Sequence, residues 1–381
     1  MNPLRQKIEQ EIRERAPIPF SRYMELCLYD PELGYYSRNA EQFGKAGDFY
    51  TSSDVHAVFG RLLARQFDEM WRALGLPERI DLAELGPGRG LFAQDVFGWS
   101  EKTFPDFFCA LRYMLVENSP ALRERMSDTL SSRLDSGKSV LTAVYPQEEA
   151  SSADIPTIVF ANEFFDALPV EVLSAKGTLR IDARDGHFVE TWAPSTSEEL
   201  EFLDRYSVHP EPGERVEAPL AAQQFIDRVA ASVRRGFVIV IDYGYTRNEQ
   251  LAGRHRGTVK ALRQHSVSAN PYEAPGEQDI TSDVNFTALA AALEKRGMQT
   301  HKLITQSQFL MGIGEANQFA DAFEECRGPQ ERAKVALQLK HLVTPAGMGE
   351  SFHVLIGSKG VEGEKMESLS GLAFGHRSIA R

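Results

Sequence analysis

A carboxylate followed by three alternating glycines is the part of this chain best suited to chemistry. In Ile80-Asp81-Leu82-Ala83-Glu84-Leu85-Gly86-Pro87-Gly88-Arg89-Gly90 an apolar run ends beside an acid, turns through glycines and opens a helix at Leu91. Strand, turn and helix in that order place a ligand on a helix N-terminus at the end of a parallel strand. Gly86 and Gly90 can take backbone angles closed to residues with a Cβ, and Gly88 lets the main chain approach a ligand. The partly positive helix end can hold a carboxylate, and Glu84 can receive an amino group. A second acid, Glu117, ends Leu111–Glu117 (LRYMLVE). At the end of a second strand it would lie beside a ribose and accept both hydroxyls. Its distance from Gly90 exceeds the usual ~20 residues, and Ser100–Phe108 reads as the insertion responsible. The plain alternatives are a tight turn without a ligand and an acid that caps the helix near Pro120.

A third group follows the apolar run Thr157–Ala161: Asn162, Glu163 and Asp166. If a helix starts at once, the two acids share one face through their i, i+3 spacing. Such carboxylates orient a nitrogen nucleophile and take its proton, and they match the fork of a guanidinium. Asn162 could contact a cofactor or an acceptor. The alternative is that Asn162 caps the helix and the acids stabilise its first turn. Asp242-Tyr243-Gly244 ends another strand, where Asp242 could hold a loop and Tyr243 pack near an acceptor.

These residues need a parallel frame. Near-continuous apolar runs at Ile80–Leu85, Leu111–Glu117, Ser139–Val144, Thr157–Ala161 and Gly236–Asp242 alternate with helical segments. That pattern predicts a doubly wound α/β sheet covered on both faces, closed by late strands at Gln299–Ile304 and Phe352–Ile356. Around a core at 76–358, residues 1–75 read as helices with a glycine-rich loop. Residues 169–235 read as a β-hairpin followed by helices, 307–345 as mainly helical, and 359–381 as a disordered tail. A net charge of −12 over 381 residues argues against a broad nucleic-acid surface. Arg254, Arg256 and Lys260 remain local basic spots for a phosphate or an acidic partner. Cys27, Cys109 and Cys326 are scattered and form no metal motif. No apolar run reaches about 18 residues, so no membrane span is expected. Residues 1–15 form an amphipathic pattern with both charge signs, unlike a secretory signal or a mitochondrial presequence. Those features make the cytoplasm the expected compartment.

The glycines recur as G-x-G-x-G, with Leu91 where the dinucleotide fingerprint has its third glycine. This resembles the first motif of class I S-adenosylmethionine-dependent methyltransferases. Longer strings go further: Pro19–Met24, Leu28–Tyr36, Gly47–Ser53, Asn162–Val170 and Pro275–Thr281. Together they resemble the MidA family over roughly residues 15–358. The resemblance implies a Rossmann-like, seven-stranded class I core with N-terminal and inserted, mainly helical segments, and S-adenosylmethionine as cofactor. It adds Asp48 and Thr51, in a loop that would close over the cofactor, and His265 as a proton acceptor. A lone histidine is more often structural. Glu277 and Asp279 would line the substrate mouth or order a long loop. The mitochondrial members are protein arginine methyltransferases, so the resemblance implies a protein substrate, with a respiratory-complex subunit as one possibility and a homodimer as another. Leu262 and Gln264 depart from the aromatic and second arginine that members often carry.

The resulting expectation is a methyltransferase acting on a protein nitrogen, with the arginine guanidinium first. Rivals are a non-catalytic cofactor-binding assembly factor and a small-molecule methyltransferase; a nicotinamide enzyme ranks last.

Overall fold

Six consecutive buried residues, Ile80 to Leu85, make the first core strand. The buried Asp81 in it is held by the Arg112 guanidinium, with Nε at 2.8 Å. The computed structural model describes residues 2–37, 57–145, 155–263, 266–268 and 270–377. The chain divides into two compact units. One comprises Tyr50–Glu163, Arg228–Asp242 and Leu293–Arg381; the other comprises Met1–Phe49, Phe164–Asp227 and Tyr243–Ala292.

In the first unit five strands run parallel. The first core strand pairs with the second, Leu111–Val116, from Ile80 opposite Leu111 to Leu85 opposite Val116. Its other neighbour is the fourth, Thr157–Asn162. The short third strand, Ser139–Thr142, flanks the second, and the fifth, which begins at Gly236, flanks the fourth. Phe352–Lys359 and then Gln299–Thr300 extend the sheet beyond the fifth. The order of seven strands thus reverses beside the first core strand, and open α/β sheets bind ligands at that switch point. Helices Val58–Ala73 and Leu91–Thr103 pack on the sheet through Phe59, Phe67, Phe92 and Phe160, with Phe92 and Phe160 stacked at 4.7 Å. Gly60 sets how closely these helices approach: a Cβ there would lie 2.6 Å from Asp95 Cβ.

The end of this unit differs from the expected disordered tail. Gly363–Glu367 and Ser370–Arg377 are helices. They bury Met366, Leu369 and Leu372. Glu69 accepts from both Ser370 N and Ser370 Oγ at 2.8 Å, and Gln66 Oε1 accepts from Gly371 N at 2.9 Å. Met366 and Leu372 lie on the two helices and Leu369 in the break between them, and the Gly, Ser and charge content of the segment hid these apolar positions.

The second unit is built on an antiparallel sheet. Glu171–Ser174, Gly177–Arg184 and His187–Ala193 form a meander, joined by Val216–Ala218 and by Ile18–Pro19. Gly177 has φ 113°, and a Cβ on it would meet Ala193 O at 2.1 Å, so the first turn requires glycine. The helices Pro3–Arg15 and Phe20–Tyr29 belong with this sheet and share its core of Ile8, Tyr23, Val172 and Ile181. Segment 1–75 therefore divides: its first helices lie in this unit, while Val58–Ala73 lies in the other. A smaller sheet sets Lys260–Arg263 between Ser266–Ser268 and Asp279–Thr281.

Candidate functional site

All three glycines of the turn lie at positive φ: Gly86 at 66°, Gly88 at 54° and Gly90 at 76°. Gly90 closes the turn by donating to Pro87 O at 2.8 Å and stands at the N-cap of the helix Leu91–Thr103. A Cβ on Gly90 would sit 3.1 Å from Met126 and Leu130 side-chain carbons. Gly86 N donates to Val116 O at 3.0 Å, tying the turn to the end of the second strand.

Two buried acids accompany this turn. Glu84 accepts from Tyr113 Oη at 2.8 Å. Burial pushes its carboxyl up to about 8; the Tyr113 hydrogen bond opposes this and the neighbouring Glu117 adds to it. Glu117 accepts from Ser119 N at 2.8 Å and also from the backbone N–H of Gly88 and of Asn118. Burial raises it to about 7 against these donors and Arg123. Glu117 thus bridges the glycine turn and the start of helix Pro120–Thr129, whose N-cap is Ser119. Tyr113, which spacing alone did not single out, lies two residues from Leu111 in the same strand as Leu115, so its buried hydroxyl needed a polar partner.

Asn162 ends the fourth strand and Glu163 follows it. Asn162 Nδ2 donates to Glu163 Oε1 at 3.1 Å. Asn162 Oδ1 is buried and has no partner among the described residues. Glu163 N donates to Ile241 O at 3.0 Å while Glu163 itself sits at φ 50°, a strained conformation for a residue with a side chain. No helix starts here, so the shared helical face of Glu163 and Asp166 does not exist and Asn162 caps nothing. Glu163 ends one compact unit, and Asp166 lies near the start of a segment of the other.

In that second unit Asp166 is buried, and Tyr243 Oη lies 2.5 Å from its Oδ2. Burial raises Asp166 to about 6, and the Tyr243 hydroxyl opposes the rise. Asp279 Oδ1 accepts from Tyr36 Oη at 3.0 Å. Glu277 is held by Asn2 and Arg263, at 3.2 and 2.9 Å. The basic spots are already engaged: Arg256 pairs with Glu214, Arg254 with Glu249 and Lys260 with Asp283. Asp48, Thr51, Gln264 and His265 lie outside the described residues. Among the described residues no group of three His, Cys, Asp or Glu is placed to hold a metal ion. No helix among them is long and apolar enough to cross a membrane.

A strand-order reversal, a glycine turn at its edge, a buried acid on each of two adjacent strands and an orphaned acceptor on the next define a nucleotide-type cofactor site of the class I methyltransferase kind. The donor set fits S-adenosylmethionine: a carboxylate for an amino group, a carboxylate for ribose hydroxyls, an amide oxygen open to a donor. Residues 62–304 match the family model described as "Putative S-adenosyl-L-methionine-dependent methyltransferase", and the chain belongs to that family. S-adenosylmethionine is accordingly its cofactor. The chain is 28% identical over 389 residues to the mitochondrial protein arginine methyltransferase NDUFAF7 homolog of Drosophila melanogaster, covering 94% of this chain and 85% of that protein. It is 26% identical to the mitochondrial NDUFAF7 of Mus musculus, covering 93% and 84%. A Burkholderia thailandensis protein solved with bound S-adenosyl-homocysteine superposes with a TM-score of 0.83 at 29% identity, covering 97% of this chain and 94% of that one.

The expected cytoplasmic location is overturned by these relatives, which are mitochondrial proteins.

Proposed function

We propose that the chain methylates a guanidinium nitrogen of arginine in a protein substrate. The observation that carries this reading is Glu163, a carboxylate held at positive φ at the end of the fourth core strand. That strand lies next to the one that carries Glu84. Bound S-adenosylmethionine supplies an electrophilic methyl group on a sulfonium. The chain's residues do the rest. Glu84 would receive the amino group and Glu117 the ribose hydroxyls, and the N-terminus of helix Leu91–Thr103 would favour the carboxylate. Glu163 would pair with the guanidinium, orient the nitrogen to be methylated and take the proton that nitrogen gives up, with Asn162 holding the Glu163 carboxylate. The names of the relatives support arginine in a protein as the acceptor.

The direct test is mass spectrometry of a mitochondrial extract incubated with the chain and labelled S-adenosylmethionine. Methylated arginine in a protein is expected. Label only in small metabolites, or none at all, would overturn the reading.

Two binding results follow. Glu117→Ala should weaken S-adenosylhomocysteine binding by roughly tenfold or more, since hydrogen bonds to a charged group contribute about 1.5–3 kcal/mol. If Glu117 serves only the turn and the helix start, calorimetry will show unchanged affinity with a lower melting temperature.

Binding should also depend on pH. Glu84 is raised to about 8 by burial, so at pH 7 the ligand-free chain holds it mostly protonated. A cationic amino group beside it favours the ionised form, so the complex binds fewer protons. Affinity should therefore rise as pH increases towards 8, with release of up to about one proton from this group. Calorimetry in buffers of different ionisation enthalpy reads that proton directly. Glu84→Gln should weaken binding and remove the part of the release that Glu84 supplies, leaving that of Glu117, which burial raises to about 7.

A further inference from the structure

The second core strand, Leu111–Val116, lies beside the first in parallel register, with Tyr113 opposite Leu82 and Leu115 opposite Glu84. Alternate residues of a strand share a face, so Tyr113 and Leu115 lie on the face of the sheet that carries Glu84. Tyr113 is fully buried. Its backbone N–H donates to Lys138 O at 2.9 Å, and its ring centre lies 5.1 Å from that of Phe97 on helix Leu91–Thr103. Strand and helix hold the phenol between them, and from there its Oη donates to Glu84 Oε2 at 2.8 Å. The two acids of the site differ in how they are held. Glu117 takes backbone donors from Gly88, Asn118 and Ser119, whereas the Tyr113 hydroxyl is the one donor to Glu84 among the described residues.

We infer that Tyr113 is a positioning residue for cofactor binding: its hydroxyl holds one oxygen of Glu84 so that the other meets the ammonium of the ligand, and the site thereby favours adenosyl ligands that carry an amino group over those that lack one. This rests on the assignment of Glu84 made above. The last side-chain bond of a glutamate turns freely unless a partner stops it. For Glu84 that partner is the Tyr113 hydroxyl, anchored by strand register and by Phe97. The selectivity follows from charge. A ligand without an amino group leaves the buried carboxyl neutral, and a neutral carboxyl gains little from a phenol donor. An ammonium draws out the carboxylate, to which the hydroxyl donates far more strongly.

The groups facing Glu84 are Tyr113 from the second strand and Glu117 just past its end, while the fourth strand sets the apolar Phe160 opposite it. Burial and Glu117 disfavour its charged form, and the Tyr113 hydrogen bond favours it. Burial and Glu84 push the Tyr113 hydroxyl itself well above its ordinary value, so it stays protonated, and a donor, near neutral pH. Without that donor Glu84 should ionise at higher pH. Affinity for an amino ligand, which rises until the free Glu84 is ionised, should then level off at higher pH.

The test is calorimetry on the full-length chain with two probes: S-adenosylhomocysteine and its desamino analogue, in which hydrogen replaces the amino group. Tyr113→Phe keeps the ring against Phe97 and removes only the hydroxyl. It should bind S-adenosylhomocysteine roughly tenfold more weakly at pH 7, bind the analogue as tightly as the parent does, and reach full affinity at higher pH. Equal weakening of both probes, or no change in either, overturns the inference. Glu84→Gln tests the assignment separately and should lose the parent's preference for the amino ligand. If it keeps that preference, Glu84 does not meet the amino group, and assignment and inference fall together. If it loses the preference while Tyr113→Phe keeps it, the assignment stands and the inference alone fails. Tyr113→Met, which also lacks the hydroxyl and adapts to irregular gaps, should repeat the selective loss if the phenylalanine variant folds poorly.

Discussion

Gly88→Val is expected to weaken binding of S-adenosylhomocysteine by on the order of 10²-fold while the chain stays folded. Gly88 lies at φ 54°, in the left-handed region. A β-branched residue there costs at least about 1–2 kcal/mol, because its Cβ crowds the following carbonyl. The cost can be met in two ways, and both harm the ligand. Either the turn keeps its path and a branched side chain stands where the main chain should approach the cofactor, or the turn relaxes. Relaxation moves the Gly88 N–H away from Glu117, which then loses one of its backbone donors. Affinity should fall by on the order of 10²-fold, about 2.7 kcal/mol. Titration calorimetry gives the affinity, and circular dichroism checks that the strand and helix survive. Unchanged affinity would remove the glycine turn from the site and with it the assignment of Glu84 and Glu117.

The readings that survived contact with the structure were those whose causes are local. Strand, turn and helix from Ile80 to Leu91 are dictated by neighbours in sequence: a buried run, glycines that must take positive φ, and a helix behind them. The parallel centre of the sheet followed from runs such as Ile80–Leu85 and Gly236–Asp242 that are too apolar to face water, whereas the outer strands Ser139–Thr142 and Gln299–Thr300 are partly exposed. The shared helical face of Glu163 and Asp166, which required a helix to start at once, does not form because the sequence opposes a helix there. Leu168 precedes Pro169, which disfavours helical backbone, and Phe164 and Phe165 instead pack on Phe225 at 5.3 and 6.1 Å. Pairings such as Tyr113 with Glu84 and Tyr243 with Asp166 join residues 29 and 77 positions apart. Periodicity carries no information about such pairs, although a tyrosine within a buried strand signals that some partner exists. The basic spots at Arg256 and Lys260 read as free cations because their acids, Glu214 and Asp283, come from elsewhere in the fold, while Arg254 pairs with the nearby Glu249. Glu214 in particular lies 42 residues before Arg256.

Glu163→Gln should separate binding from chemistry. The substitution keeps the size of the side chain and the amide can still accept from Asn162 Nδ2, so the strand end and its positive φ are preserved. What disappears is the charge. A neutral amide no longer attracts a guanidinium, cannot form the charge-assisted fork, and cannot take a proton as the nitrogen is methylated. Affinity for S-adenosylhomocysteine should therefore change little, while methyl transfer into extract protein should fall by about 10²-fold or more. Glu163→Asp offers a graded comparison: the charge stays but is withdrawn by one methylene, so transfer should fall less than in the glutamine variant. The two measurements divide the outcomes. Equal loss of binding and transfer would place Glu163 in the cofactor pocket. Transfer retained in full by Glu163→Gln would leave its strained backbone as a feature of the strand end and detach the arginine acceptor from this carboxylate.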